Sequence, residues 1–266
     1  MLLDSHTHID MRDFDDDRER VLQLARESGV VAVIDIGIDI ASSEAAIALA
    51  EKNSDVFATV GIHPHDASKV TDADITRLEE LSKHPKVVAV GETGLDFYRN
   101  RSSKESQVEA FKRQLELASK SGLPVVIHSR NAGDEVFEIL KDWISGRKSD
   151  GRPVGVLHCF SGDAELGRKY IDMGFLIAFD GPVTYPKSSA AGVAREIPLD
   201  KMLIETDCPF LTPQAHRGKR NEPSYVSYVA AKIAEVKGIS CESVADVTSA
   251  NAIRLFRLPI KQGVNR

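Results

Sequence analysis

Cysteine is scarce in this chain of 266 residues, with Cys159, Cys208 and Cys241 at scattered positions. An odd, irregular set does not make a disulfide framework, so reduced thiols in a cytoplasm are the simpler expectation. No apolar run approaches the ~18 residues of a membrane span, which excludes a transmembrane helix. The opening MLLDSHTHID has neither a basic stretch nor a long apolar one, so no secretory signal is expected. Positive charge is not in excess either: 34 Lys+Arg stand against 40 Asp+Glu, a formal charge of −6. That balance excludes a protein that coats nucleic acid by bulk charge. A nuclease stays open, because bound metal and a local basic loop can supply a positive field. With 42% hydrophobic and 28% charged residues, disorder and a fibrous chain are excluded. No repeat, low-complexity tract or linker appears, so residues 1–266 are read as a single domain.

Eight short apolar runs are present, at 2–5, 30–37, 56–62, 87–91, 124–128, 153–158, 175–179 and 202–206. Most are rich in Val and Ile and apolar nearly throughout, as strands covered on both faces must be. The intervening segments carry helical period. In 104–121, Val108, Phe111, Leu115 and Ala118 form one apolar stripe, and Gly122 and Pro124 end it. Segments 16–28, 41–52, 72–83, 131–144, 163–173, 187–196 and 223–237 read similarly, and a last helix covers 241–256. Strand–helix alternation repeated eight times implies parallel pairing. The expected fold class is α/β, a (β/α)8 TIM barrel with an extra C-terminal helix; ~250 residues is typical.

The chain has eight histidines, and six fall at the C-terminal ends of expected strands: His6, His8, His63, His65, His128 and His158. Glu92, Glu205 and Asp207 join them. In a barrel of this kind, chemistry is built at that rim. His6 and His8 are two apart, so their rings share one side of the strand. Glu205 and Asp207 repeat the spacing on strand eight, which neighbours strand one. The set exceeds one ion's needs, since catalytic zinc takes about three protein ligands. Two divalent ions would use His6, His8, Glu92, His128, His158 and Asp207, with Glu92 bridging through its two oxygens. Ligand type does not choose among Mg2+, Mn2+ and Zn2+.

Taken singly, each residue has an ordinary reading. His-x-His recurs by chance, a rim histidine is often a satisfied core residue, and Glu92 alone would be a salt-bridge partner. The joint pattern outweighs these, because a buried set without an ion would hold unpaired polar groups and repelling carboxylates. His63 is expected near the ions as a substrate contact or proton carrier; His65 is read as a turn residue or a phosphate contact. Cys159 and Cys208 follow ligands, so their thiols are expected to point away and pack. After strand eight, Arg217, Lys219 and Arg220 form a basic loop that would hold phosphates, and Arg99, Arg101 and Arg130 could add to it.

These residues lie in DSHTHID (4–10), GIHPH (61–65), GETGLD (91–96), VVIHSR (125–130), LHCFSG (157–162), ETDCPFLTP (205–213) and RGKRNEP (217–223). In that order and over nearly the whole chain, the sequence resembles the TatD family of metal-dependent deoxyribonucleases, among the amidohydrolase-like barrels. The resemblance implies the same six ligands and adds Glu205 and His63 to the active site. Asn131 departs from it, standing where an acidic residue is expected after Ser-Arg.

The resemblance implies hydrolysis of DNA phosphodiesters, as a 3′–5′ exonuclease on single strands; the compartment expected from the cysteines is the cytoplasm, and a monomer is favoured while the sequence leaves the oligomeric state open. Asp207 would orient or deprotonate the attacking water, and His63 would protonate the leaving oxygen or hold the phosphate. Activity should vanish below about pH 6, because the ligand histidines must be neutral. D-aminoacyl-tRNA deacylation and a small-molecule amidohydrolase or phosphotriesterase are the rival reactions. Many of the latter bridge their ions with a carboxylated lysine, whereas strand four here offers Glu92. A non-catalytic barrel would need broken ligands, and none of the six is missing.

Overall fold

The structure, a computed structural model, describes residues 1–147 and 151–260. Residues 148–150, within the expected 1–266 span, and 261–266, at its end, lie outside the described residues. Eight parallel strands follow one another in chain order around the sheet: β1 (Leu2–Thr7), β2 (Val30–Asp35), β3 (Val56–Val60), β4 (Val87–Asp96), β5 (Val125–Arg130), β6 (Gly155–Leu157), β7 (Phe175–Phe179) and β8 (Met202–Ile204). Between and after them run α1 (Arg18–Glu27), α2 (Ile40–Lys52), α3 (Asp72–Leu81), α4 (Lys104–Ser121), α5 (Gly133–Ser145), α6 (Ala164–Asp172), α7 (Ala190–Glu196), α8 (Val226–Lys237) and α9 (Cys241–Phe256). This is the TIM barrel with its extra C-terminal helix.

Local chemistry sets the helix limits. Ser103 caps α4 by accepting the Ser106 N–H, and Gly122 ends it at φ 68°. Asp39 and Ser42 form a reciprocal capping box on α2. Helix α7 is shorter than the expected 187–196, because Pro182 and Pro186 leave a 3₁₀ turn and loop before Ala190.

Strand parity produces two cores. Leu3, Ile34, Phe57, Val126, Val156, Leu176 and Leu203 pack together inside the barrel with Ile253, Leu255 and Phe256 of α9. Alternate residues such as Val33, Val60, Ile127, Leu157, Phe179 and Ile204 pack outward against the helices. The inward parity continues past the apolar layer. Two residues beyond Val126 is His128, beyond Val156 is His158, beyond Ala178 is Asp180, and beyond Leu203 is Glu205. The strands therefore deliver a dry plug lower down and polar groups at the C-terminal mouth.

Strand β4 runs five residues past its expected end at Gly91, so Glu92 lies within the strand rather than after it. Gly91 and Gly94 adopt φ 146° and 141°, and a Cβ at Gly94 would fall onto the His128 carbonyl oxygen. Only glycine lets β4 lie this close to β5. Gly94→Ala should cost about 3 kcal/mol or more from strain and displacement of β5. A fall in melting temperature of roughly 6–12 °C is expected. An unchanged melting curve would refute the close-approach account.

The seam between β8 and β1 has no regular ladder. It is joined by a bridge between Thr7 and Cys208, by Asp207 N–H to His6 O at 2.9 Å, and by His8 N–H to Cys208 O at 2.8 Å. The buried Asp4 carboxylate accepts the Thr206 N–H at 2.9 Å and the Thr206 hydroxyl at 2.6 Å.

Candidate metal centre

Glu92 occupies the middle of the mouth and is buried, and its two carboxylate oxygens face different partners. Oε2 lies 3.6 Å from His6 Nε2 and 4.0 Å from His8 Nε2. Oε1 lies 2.8 Å from His128 Nδ1 and 3.6 Å from both His158 Nε2 and His63 Nε2. Asp207 Oδ1 completes the first group, 3.6 Å from His6 Nε2 and 3.4 Å from His8 Nε2, while the two histidine Nε2 atoms are 3.3 Å apart. Nitrogens bound at about 2.0–2.1 Å to a tetrahedral ion stand roughly 3.3–3.4 Å apart. The spacings fit side chains gathered around a cation. Three sets bring one ligand atom from each residue within 4.8 Å of the others: His6, Glu92 and His158; His6, His8 and Asp207; His63, Glu92 and His128.

Outer partners fix the rings. Nδ1 of His8 faces the Ile36 carbonyl at 3.2 Å, leaving Nε2 toward the cluster. Nδ1 of His158 meets Glu205 Oε1 at 2.9 Å, and Glu205 is itself held by the Cys159 N–H at 2.7 Å and the Ser5 hydroxyl at 3.3 Å. Carboxylate support of this kind orients a ligand histidine and raises its basicity. Glu205 thus braces His158, whereas Asp207 faces His6 and His8. The two do not repeat one strand geometry: β8 stops at Ile204, and Asp207 enters at φ 56°. A short acidic residue tolerates that backbone region better than most.

The electrostatics are those of a metal-free cluster. Burial lowers the pKa of His8, but its hydrogen bond with Asp207 and the charges of Asp207 and Glu92 push it up to about 9. Burial likewise opposes protonation of His158, yet Glu205 and Glu92 raise it to about 10. Glu92 is lifted by burial and pulled well below the carboxylate range by His63 and His158 and by hydrogen bonds to His128 and His6. Burial takes His63 down to about 3. Its Nδ1 accepts the His65 N–H at 3.2 Å, which places the ring proton on Nε2.

Two carboxylates escaped the sequence reading. Asp96, at the end of β4, touches His65 Nε2 at 2.8 Å and His128 Nε2 at 3.3 Å through Oδ2. Its Oδ1 accepts the N–H groups of Tyr98 at 3.0 Å and Arg99 at 2.7 Å. Burial favours its protonated form, but His128, the Arg99 N–H and His65 together hold it ionised. Asp180 follows Ala178 on the inward parity of β7 and is buried, with Oδ2 unpartnered. Burial, then Glu205 and Asp207, push it up to about 8. Cys159 corrects another expectation: its backbone turns to φ 42° and its thiol stands beside Asp180 rather than in the apolar core. Cys208 does pack in the outer core, and Cys241 is exposed.

The rim cations sort into two kinds. Arg220 departs from the expected phosphate role, because its guanidinium is paired with both Asp17 oxygens at 2.8 and 2.7 Å, contacts Glu222 and lies over Phe14. Arg130 lies 4.1 Å over the Tyr98 ring and Arg217 4.5 Å over Tyr185. Neither has a carboxylate partner among the described residues. His65, engaged with Asp96, is a positioning group beside His128 rather than a turn residue alone.

Fold and site together define a metal-dependent hydrolase on a TIM barrel. The family model for TatD related DNase matches residues 3–257. An uncharacterized metal-dependent hydrolase of Bacillus subtilis, YabD, is 44% identical, over 97% of this chain and 100% of its own. The 3′-5′ ssDNA/RNA exonuclease TatD of Cronobacter turicensis is 34% identical, over 96% and 97% respectively. The crystal structure of YjjV, a TatD homolog from Escherichia coli, superposes with a TM-score of 0.90 at 31% identity, over 97% of this chain and 98% of that one. The chain belongs to the TatD-related DNase family. No helix of the described residues is long and apolar enough to cross a membrane.

Proposed function

We propose that the protein is a two-metal exonuclease that hydrolyses phosphodiester bonds in single-stranded DNA, acting in the 3′–5′ direction. The observation that carries this reading is the split duty of Glu92, whose two oxygens face two separate groups of imidazoles. His6, His8 and Asp207 would hold one ion and His128 and His158 the other, with Glu92 shared. Bound divalent ions supply an acidified water and neutralise charge on the phosphoryl group. The chain's residues supply aim. Asp207, on the His6–His8 side, orients the water and takes its proton. Neutral His63 presents Nε2–H to the phosphate or leaving oxygen, as a hydrogen-bond donor rather than an acid. Glu205 keeps His158 in its ligating tautomer. With Arg220 engaged elsewhere, Arg130 and Arg217 are candidates for phosphate contact, as are Lys219, Arg99 and Arg101 on the loops after β8 and β4.

The direct test is release of mononucleotides from 3′-labelled single- and double-stranded oligonucleotides, with and without chelator, beside D-aminoacyl-tRNA and a lactone and amide panel. Chelator-sensitive digestion of the single strand from its 3′ end is expected. Turnover of the tRNA or the small-molecule panel with oligonucleotides left intact would replace the proposal with a rival.

Metal binding should be strongly coupled to protons. With pKa values raised to about 9 and about 10, His8 and His158 hold protons at neutral pH in the metal-free protein. An imidazolium has no lone pair for a cation, so binding expels both protons. Affinity therefore strengthens as pH rises and weakens as it falls. Between about pH 6 and 8 the affinity for each ion should change by up to ~10-fold per pH unit, and the loading of both by up to ~100-fold, because His8 and His158 face different ions and each gives up one proton. Calorimetry in buffers of different ionisation enthalpy counts those protons, and an affinity flat over this range would contradict the account.

A further inference from the structure

The mouth carries two exposed aromatic rings on opposite sides of the cluster. Tyr98 is 58% exposed and Phe210 is 49% exposed. Tyr98 leaves the end of β4 beside β5, whereas Phe210 follows β8 at the seam with β1, half-way round an eight-strand ring. Each is tied to a residue of the site. The Tyr98 N–H bonds to Asp96, whose other oxygen touches His128. The Phe210 N–H bonds to the carbonyl of Asp207 at 2.9 Å, its own carbonyl accepts from Asn221 Nδ2 at 2.6 Å, and its ring lies 6.1 Å from that of His8. Arg130 lies 4.1 Å over the Tyr98 ring and Arg99 lies 6.0 Å from its centroid, and much of the ring still faces solvent.

We propose that Tyr98, backed by Arg130, and Phe210 are stacking platforms that grip the two nucleobases flanking the phosphate held at the centre. The inference rests on the nuclease reading above and adds how the strand is seated. Stacking is tolerant of sequence, because every base has a π-face, and it requires unpaired bases. Platforms across the mouth from each other splay the bases apart and leave the phosphate between them facing Glu92. A paired duplex cannot offer both bases this way, so the platforms select single strands. Arg130 meets the backbone as an uncompensated cation while its stack on Tyr98 stiffens that platform.

The test is kinetic, on the metal-loaded protein, with one oligonucleotide and a second that lacks the bases of its two 3′-terminal nucleotides. The wild type should show a KM at least ~10-fold higher on the abasic substrate, with kcat nearly kept. Tyr98→Ala and Phe210→Ala should each raise KM on the ordinary substrate and shrink the penalty for missing bases; the double variant should abolish it. Tyr98→Phe should restore wild-type behaviour, because the ring and not the hydroxyl acts. The wild-type comparison stands whatever the variants' stability. Equal KM on both substrates with hydrolysis intact would overturn the platforms alone, as would variants that keep the full penalty. Hydrolysis of neither oligonucleotide would overturn the nuclease reading and the platforms with it.

Discussion

Under the proposed two-metal scheme, Glu92→Gln is expected to lower turnover by at least ~10³-fold and to reduce the bound metal from two equivalents to one or none. The substitution keeps volume and shape, so the barrel should survive. It removes one ligating oxygen, puts an amide N–H₂ in its place, and deletes the negative charge between two groups of imidazoles. His6 Nε2 and His158 Nε2 then face a group that cannot bridge. The charge of Glu92 also helps raise His8 and His158, so both should titrate lower in the variant. Metal analysis, turnover and NMR titration of the histidines read these effects separately. Two bound ions and near-wild-type turnover would remove Glu92 from the centre of the scheme.

Asp207→Asn should lower kcat by about 10²–10⁴-fold. Asparagine tolerates the φ of 56° at this position, so the backbone is undisturbed, and its carbonyl oxygen can still face a cation. It cannot accept the proton of the attacking water. Asp207 is also the main group raising His8 from the ordinary histidine range, so that ring should lose its proton at lower pH in the variant. Proton release on metal binding should then fall by up to one at neutral pH. Loss of kcat with metal content kept indicates a proton-handling role, whereas parallel loss of both reduces Asp207 to a ligand. Unchanged kcat would exclude both.

The fold was legible because a barrel strand buries both faces and writes itself as a short Val/Ile run, repeated here with helical stretches between. Strand ends were less so. Strand β4 seemed to stop at Gly91 because glycine usually weakens a strand, yet Gly91 and Gly94 let it continue against β5. That misplaced end hid Asp96 within the GETGLD segment, although its carboxylate organises His65, His128 and the loop bearing Tyr98. Asp180 carried a readable signal, inward parity at the end of a strand, but stood without a histidine beside it. The gathering of His6, His8, Glu92, His128 and His158 was readable from parity and strand order, whereas Asp207 joins them through a backbone turn at φ 56° beyond the end of β8. The engagement of Arg220 with Asp17 was not, because it joins residues 203 apart and no local pattern encodes it.

The irregular closure between β1 and β8 also orders events in time. His6 and His8 leave the ribosome early and Asp207 emerges some two hundred residues later, on the segment that shuts the ring. No nascent or truncated chain ending before that point can bring the Asp207 carboxylate to His6 and His8, so sealing the cylinder and completing this buried cluster are one step.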